Sequence, residues 1–149
     1  MDIRVEVARE ASQELVAAFS RLLPQLSSTA KPLDHEALTR LTTSDANTLL
    51  VARTPDAVVG TLTLVLVPLP SGLRARVEDV VVDNAARGQG VAGLLTQEAL
   101  RIAREAGART VDLTSRPDRA AANRLYERLG FEARQSTVYR FPVEPPAEG

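Results

Sequence analysis

The sequence predicts an α/β protein built on a mixed sheet, and three observations lead there. Runs with strand-like alternation are interleaved with segments whose apolar residues recur at helical spacing. Pro, Gly and Asp mark the breaks between them. One apolar run, Val80-Val81-Val82, feeds a glycine-rich stretch, Arg87-Gly88-Gln89-Gly90-Val91-Ala92-Gly93, which opens an amphipathic segment, so a strand enters a tight loop and then a helix.

Ile3 to Val7 alternates apolar and polar residues as a strand does. Ser12 to Leu23 carries apolar residues at helical spacing, and Pro24 is expected to stop that helix. After a loop through Lys31-Pro32, Asp34 can cap a second helix over His35 to Leu41, with Glu36 favoured in its first turn by the macrodipole. Leu49 to Ala52 and Val58 to Val67 read as paired strands around the turn Thr54-Pro55-Asp56-Ala57. Pro68 to Gly72 turns the chain again, and Arg74 to Val82 is a long central strand.

Beyond the loop, Leu94, Leu95, Ala99, Ile102 and Ala106 share one helical face, with Gln97, Arg101, Arg104 and Glu105 opposite; Gly107 ends that helix. Thr110 to Thr114 is then a strand and Asp118 to Leu129 a helix stopped by Gly130. Phe131 to Ala133 and Val138 to Phe141 make a final hairpin, giving the order βααβββαβαββ. The tail from Pro142 to Gly149 is rich in Pro and Glu and reads as frayed.

At 149 residues the chain is long enough to bury one core, so a single soluble domain over residues 1–141 is expected. It has no cysteine, which excludes disulfides, thiolate metal sites and cysteine nucleophiles. A net charge of -1 with interspersed signs gives no electrostatic case for nucleic acid or an anionic membrane. No apolar run approaches a bilayer span, and the start lacks a secretory segment, so a cytoplasmic protein is expected. The aspartates are scattered without ligand-like spacing and predict no metal.

The loop is a ready anion cradle. Main-chain N–H groups at a helix start carry partial positive charge, glycines allow close approach, and Arg87 adds a full charge. A Walker A loop is excluded, because Ala and Gly stand where Lys and Ser or Thr are needed. Gly88, Gly90 and Gly93 formally match a dinucleotide fingerprint, and Asp112 lies near the acidic offset. The loop nevertheless sits past mid-chain, and too little chain follows to complete a doubly wound domain.

Read as Arg-x-x-Gly-x-Ala, this loop resembles the acetyl-CoA loop of the GCN5-related N-acetyltransferases (GNAT). Downstream, Ala122-Asn123-Arg124-Leu125-Tyr126-Glu127-Arg128-Leu129-Gly130-Phe131 resembles the family's second signature, a short helix ending in Leu-Tyr-Glu-x-Leu-Gly-Phe. The two signatures cover roughly residues 77 to 132. The resemblance implies a mostly antiparallel central sheet flanked by helices. It also implies acetyl transfer from acetyl-CoA, as acyl-donor cosubstrate, to a primary amine by direct attack, with no covalent enzyme intermediate.

The same resemblance assigns roles. Arg87, Gly88, Gln89, Gly90, Val91, Ala92 and Gly93 would hold the pyrophosphate, while Val80, Val81 and Val82 would guide the pantetheine arm as a neighbouring strand. Tyr126 aligns with the general acid that protonates the leaving thiolate; the same ring also fits simple packing beside Leu125 and Leu129. Glu78 falls where some members place the base for the incoming amine, and burial there would strengthen it as a proton acceptor, although pairing with Arg74 or Arg76 fits equally. Asp79 ranks lower, since a regular strand points it to the opposite face.

Asn123 could bond the pantetheine or the phosphates, or be surface polarity. Many members carry an asparagine seven residues before the tyrosine; this chain has Arg119 there, either a pyrophosphate contact or a solvated arginine in the first helical turn. An acyl-CoA-binding or sensing domain without turnover is the alternative reading. The acceptor, a small-molecule or protein amine, would be selected by Ser12 to Leu41 and the final hairpin, with His35, the one histidine, as decoration there. A homodimer through sheet edges or the C-terminal hairpin is compatible with the pattern.

Overall fold

The computed structural model describes residues 2–144, which form two compact units divided between Arg116 and Pro117. In the first unit, β1 (Arg4–Val7), α1 (Gln13–Leu26), α2 (His35–Thr43), β2 (Asn47–Arg53), β3 (Val58–Leu69), β4 (Gly72–Val82), α3 (Val91–Glu105) and β5 (Val111–Asp112) follow in order. The sheet runs β1-β2-β3-β4-β5, antiparallel except for the β4–β5 pair. The second unit holds α4 (Ala120–Arg128).

Period-two alternation gives the sheet two apolar faces, and each is covered. Leu50, Ala52, Leu62, Leu64, Ala75 and Val77 pack with Val91, Leu95, Ala99 and Ala103 of α3. Leu49, Val51, Val58 and Val81 pack with Leu15, Ala18, Phe19 and Leu22 of α1 and Leu38 of α2. Local capping fixes where the helices begin: Ser12 accepts from Leu15 N at 3.1 Å and Asp34 from Ala37 N at 2.8 Å. Thr54 accepts from the amides of Asp56 and Ala57, closing the β2–β3 turn.

Four expectations are corrected. Pro24 does not stop α1, which continues to Leu26; so near the end it removes one helical bond while Leu22 stays buried. The buried stripe of α3 is Val91, Leu95, Thr96, Ala99 and Ala103, with Leu94 40% exposed, because the helix presents its i, i+4 rows to the sheet. Ala106, expected on that stripe, is exposed and is the C-cap. The strand expected over Thr110 to Thr114 pairs only at Val111 and Asp112.

The fourth concerns residues 131–144, which carry no strand, so the expected final hairpin is absent. Val138, Tyr139 and Phe141 are 69%, 90% and 85% exposed. A lone two-stranded ribbon is marginal without a packed face. Pro142 to Glu144 is irregular; the rest of the expected frayed tail, residues 145–149, lies outside the described residues.

Candidate functional site

The central strand of the site is irregular at its most important point. Thr63 pairs with Glu78 but Thr61 pairs with Val81, so two steps along β3 match three along β4. One residue is therefore bulged out. Asp79 has a φ of 50°, the left-handed region that Asp tolerates better than most residues. The bulge reverses the alternation beyond it: Val80 and Val82 join Val77 on the α3 face, and Val81 joins the α1 face. Strict alternation, the ground for ranking Asp79 below Glu78, does not hold here.

Below the bulge, β5 pairs with Ala75 and Arg76. No further described strand pairs with that edge of β4, so the backbone from Val77 to Val82 borders an open edge. Such an edge can accept another extended chain through N–H and C=O groups.

β4 then delivers the chain into the loop. Asp83 accepts from Ala85 N at 3.1 Å and caps the 3-10 turn Asn84–Ala86, and buried Ala86 anchors it. Arg87, Gly88, Gln89 and Gly90 are exposed. Gly88 and Gly90 have φ of 82° and 76°, which non-glycine residues adopt only under strain. A Cβ at either would meet nothing within 4 Å, so the requirement is conformational and the space above the loop is open.

Gly90 is the N-cap of α3 and offers no side-chain cap, while the first helical bond runs from Leu94 N to Gly90 O. The amides of Val91, Ala92 and Gly93 thus have no partner one turn back within the helix. An anion placed there meets N–H donors, the positive end of the helix dipole and the nearby Arg87 charge. Val91 itself is 2% exposed; its side chain anchors the helix to the sheet and only its amide is available. Gly93 lies inside the first turn.

Three residues that hold this region were not singled out in the sequence. Gly60 of β3 sits under the start of α3. Arg21 of α1 donates to Asp83 Oδ2 at 3.0 Å and to Val58 O at 2.6 Å, and Gln25 accepts from Asn84 N at 2.8 Å. The contacts of Arg21 and Gln25 join residues 37 to 62 positions apart in the chain, which no local pattern signals; a glycine inside a strand run was the one available sign for Gly60. Asp83's carboxyl is held below its ordinary range, chiefly by the Ala85 amide and then by Arg21.

Glu78 accepts from Arg76 Nε at 2.8 Å, and the two side chains are 45% and 39% exposed. Arg76 also donates to Thr114 Oγ1 at 3.2 Å. This is the ion-paired arrangement rather than a buried lone carboxylate. Burial, and then the charge of Glu78, push the Asp79 carboxyl up from its ordinary value even though the residue retains substantial exposure. Among the described residues no group of three acidic or histidine side chains is placed to hold a metal. His35 is exposed at the start of α2.

In the second unit, Tyr126 is half-buried on α4. Burial raises its phenol pKa, and the positive charge of Arg119 opposes that shift. The helix ends in a Schellman motif: Gly130 at φ 103°, Gly130 N to Glu127 O at 3.1 Å, and Phe131 N to Tyr126 O at 3.0 Å. Tyr126 and Phe131 meet edge to face with ring centroids 5.7 Å apart. Arg119 is the exposed N-cap of α4, one step before the first turn in which it was expected, and its carbonyl accepts from Asn123 N.

Residues 11–131 match the model of the acetyltransferase (GNAT) family. The chain is 38% identical over 69 residues to N-alpha-acetyltransferase 30 of Schizosaccharomyces pombe, a match covering 46% of this chain and 45% of that protein. The chain thus covers less than half of that relative's length. Among solved structures it resembles a transcriptional regulator from Bacillus halodurans C-125, with 29% identity and a TM-score of 0.77 over 94% of this chain and 99% of that one. It also resembles aminoglycoside acetyltransferase meta-AAC0020 from an uncultured soil metagenomic sample, crystallised with sisomicin, with 19% identity and a TM-score of 0.81 over 96% and 97% of the two chains.

Proposed function

Because the chain belongs to the acetyltransferase (GNAT) family, we propose that it is an acetyl-CoA-dependent N-acetyltransferase acting on a primary amine by direct attack. Residues 1–141 form its one catalytic domain, since the family match runs from 11 to 131 across both compact units. The observation that carries the reading is the continuity of β4, the loop and α3. An open strand edge from Val77 to Val82 leads into Gly88 and Gly90 at positive φ, and then into a helix start without a side-chain cap. Acetyl-CoA fits that geometry chemically: its diphosphate suits the helix start, and its amide-bearing arm suits an open strand edge.

In this reading the amides of Gly90 to Gly93, together with Gly88, Gln89 and Arg87, hold the diphosphate, and the backbone of Val80, Val81 and Val82 aligns the arm. The bound cosubstrate supplies an acetyl group already activated as a thioester. Tyr126 keeps its phenolic proton at neutral pH as any phenol does, burial raising its pKa further, and gives that proton to the departing sulfur. A thiolate with an ordinary pKa of about 8.5 leaves more readily when protonated. Asn123 and Arg119 are secondary contacts to the cosubstrate. Glu78, or a water it orders, takes the proton of the attacking amine once Arg76 releases or shares it.

One observation favours a second reading, an acyl-CoA-binding or sensing domain without turnover: Glu78 is tied to Arg76 and half exposed, so it is not a buried free base. The two readings separate in one experiment. Both predict that coenzyme A raises the melting temperature. Only the enzyme releases free thiol from acetyl-CoA in proportion to added amine. The acceptor is a small-molecule or protein amine, and a screen of amine classes by thiol release assigns it.

A further inference from the structure

We infer that Arg21 and Gln25 are positioning residues for the diphosphate loop, so that α1 sets the affinity for coenzyme A without touching it. The inference rests on the loop reading above. It comes from where the bonds converge. The Arg21 guanidinium spans Asp83 Oδ2 at 3.0 Å and Val58 O at 2.6 Å, fixing the end of β4 against the start of β3. Gln25, one helical turn on, accepts from Asn84 N at 2.8 Å and donates to Arg21 O at 3.1 Å. Asp83 in turn accepts from Ala85 N and donates its own amide to Val59 O.

The 3-10 turn and its cap Asp83 are thus tied to Arg21 and Gln25 of α1 and to Val59 of β3. The turn leads within a few residues to Gly88 and Gly90, both at positive φ, and so to the first amides of α3. A donor array for an anion gains from being held in place before binding. Loss of the α1 bonds loosens Asn84 and Ala85 around buried Ala86, and Arg87 to Gly90 lose their fixed position against the start of α3, which Val91 holds to the sheet. Arg101 is a contrasting case: it pairs with Glu98 and Glu105 on α3 itself and ties no loop.

The test is calorimetric titration of coenzyme A into wild type and into Arg21→Met, Arg21→Lys, Gln25→Leu, Arg101→Met and Gly90→Val, each shown folded by its melting curve. Arg21→Met is expected to weaken binding about tenfold, the scale of one lost charge-assisted hydrogen bond. Its KM for acetyl-CoA rises in parallel, with kcat held within about twofold. Arg21→Lys recovers part of the affinity through the Asp83 pair, Gln25→Leu loses about threefold as expected for one neutral hydrogen bond, and Arg101→Met binds as wild type does. If Arg21→Met proves unstable, Gln25→Leu decides alone.

Unchanged affinity in folded Arg21→Met and Gln25→Leu overturns the inference while leaving the loop reading intact, provided Gly90→Val loses binding. If Gly90→Val binds as wild type, the loop reading fails and this inference falls with it. A uniform drop in kcat and stability, with KM and Kd unmoved, assigns Arg21 a merely structural role and also overturns it.

Discussion

A Cβ built on Gly60 would stand 2.9 Å from Cγ1 of Val91 and 3.2 Å from the carbonyl oxygen of Val81. The absence of a side chain at Gly60 thus lets the first turn of α3 lie directly on the β3–β4 ladder, next to the Gly60–Val82 pair. This close approach puts the helix start where the open edge of β4 ends.

Replacing Gly60 tests that relationship. The Val91 side chain is β-branched and buried, so it has little freedom to turn, and the Val81 carbonyl is backbone. Gly60→Val is expected to cost about 1 to 3 kcal/mol of stability, the usual range for overpacking a filled core. The loss is measured by urea denaturation, and coenzyme A affinity should fall with it because the helix start is displaced.

Tyr126→Phe removes only the phenolic oxygen. The ring contact with Phe131 and the Schellman bonds remain, so melting temperature and coenzyme A affinity should stay as in wild type. The rate of acetyl transfer should fall by about a hundredfold or more, as for loss of a positioned proton donor. The pH profile gives a second reading. The phenol's pKa is raised, so its proton is present through neutral pH and is lost only as pH rises through that elevated value. Wild type should show this alkaline fall and the variant should lack it.

Gly130→Ala places a Cβ on a residue at φ 103°. The expected cost is about 1 to 2 kcal/mol, the penalty of left-handed backbone for an L-residue. Because the Phe131 amide and ring are both held to Tyr126 through this turn, activity should fall further than stability alone explains. Parallel thermal melts and thiol-release rates check it.

Asp79→Asn probes the bulge. The folded Asp79 pKa lies above its unfolded value, mainly through burial and then through Glu78. Its ionised form is therefore disfavoured in the fold: stability present below the unfolded pKa is lost as pH rises through the folded one. Removing the charge should raise the melting temperature at pH 7 and have a smaller effect in the acidic carboxylate range. A melting series across pH reads the sign directly.

Local chemistry made much of this legible in the sequence. Asp34 and Ser12 announce helix starts because short polar side chains cap free amides, and Gly107 and Gly130 announce helix ends because both adopt positive φ. The glycine loop was readable for the same reason. The bulge was not, because a run such as Val80-Val81-Val82 is apolar on both faces and hides a change of phase. Arg21 and Asp83 lie in segments that only the folded sheet brings together. The final hairpin was misread because alternation over Val138 to Phe141 carries no information about whether a partner strand exists.

Amine acetylation at the expense of acetyl-CoA is checked by measuring free thiol and acetylated amine together across a panel of amine classes. The expected result is amine-dependent thiol release matched one for one by acetylated product, largely lost in Tyr126→Phe. Tight coenzyme A binding with no amine-dependent thiol release from any class would contradict it.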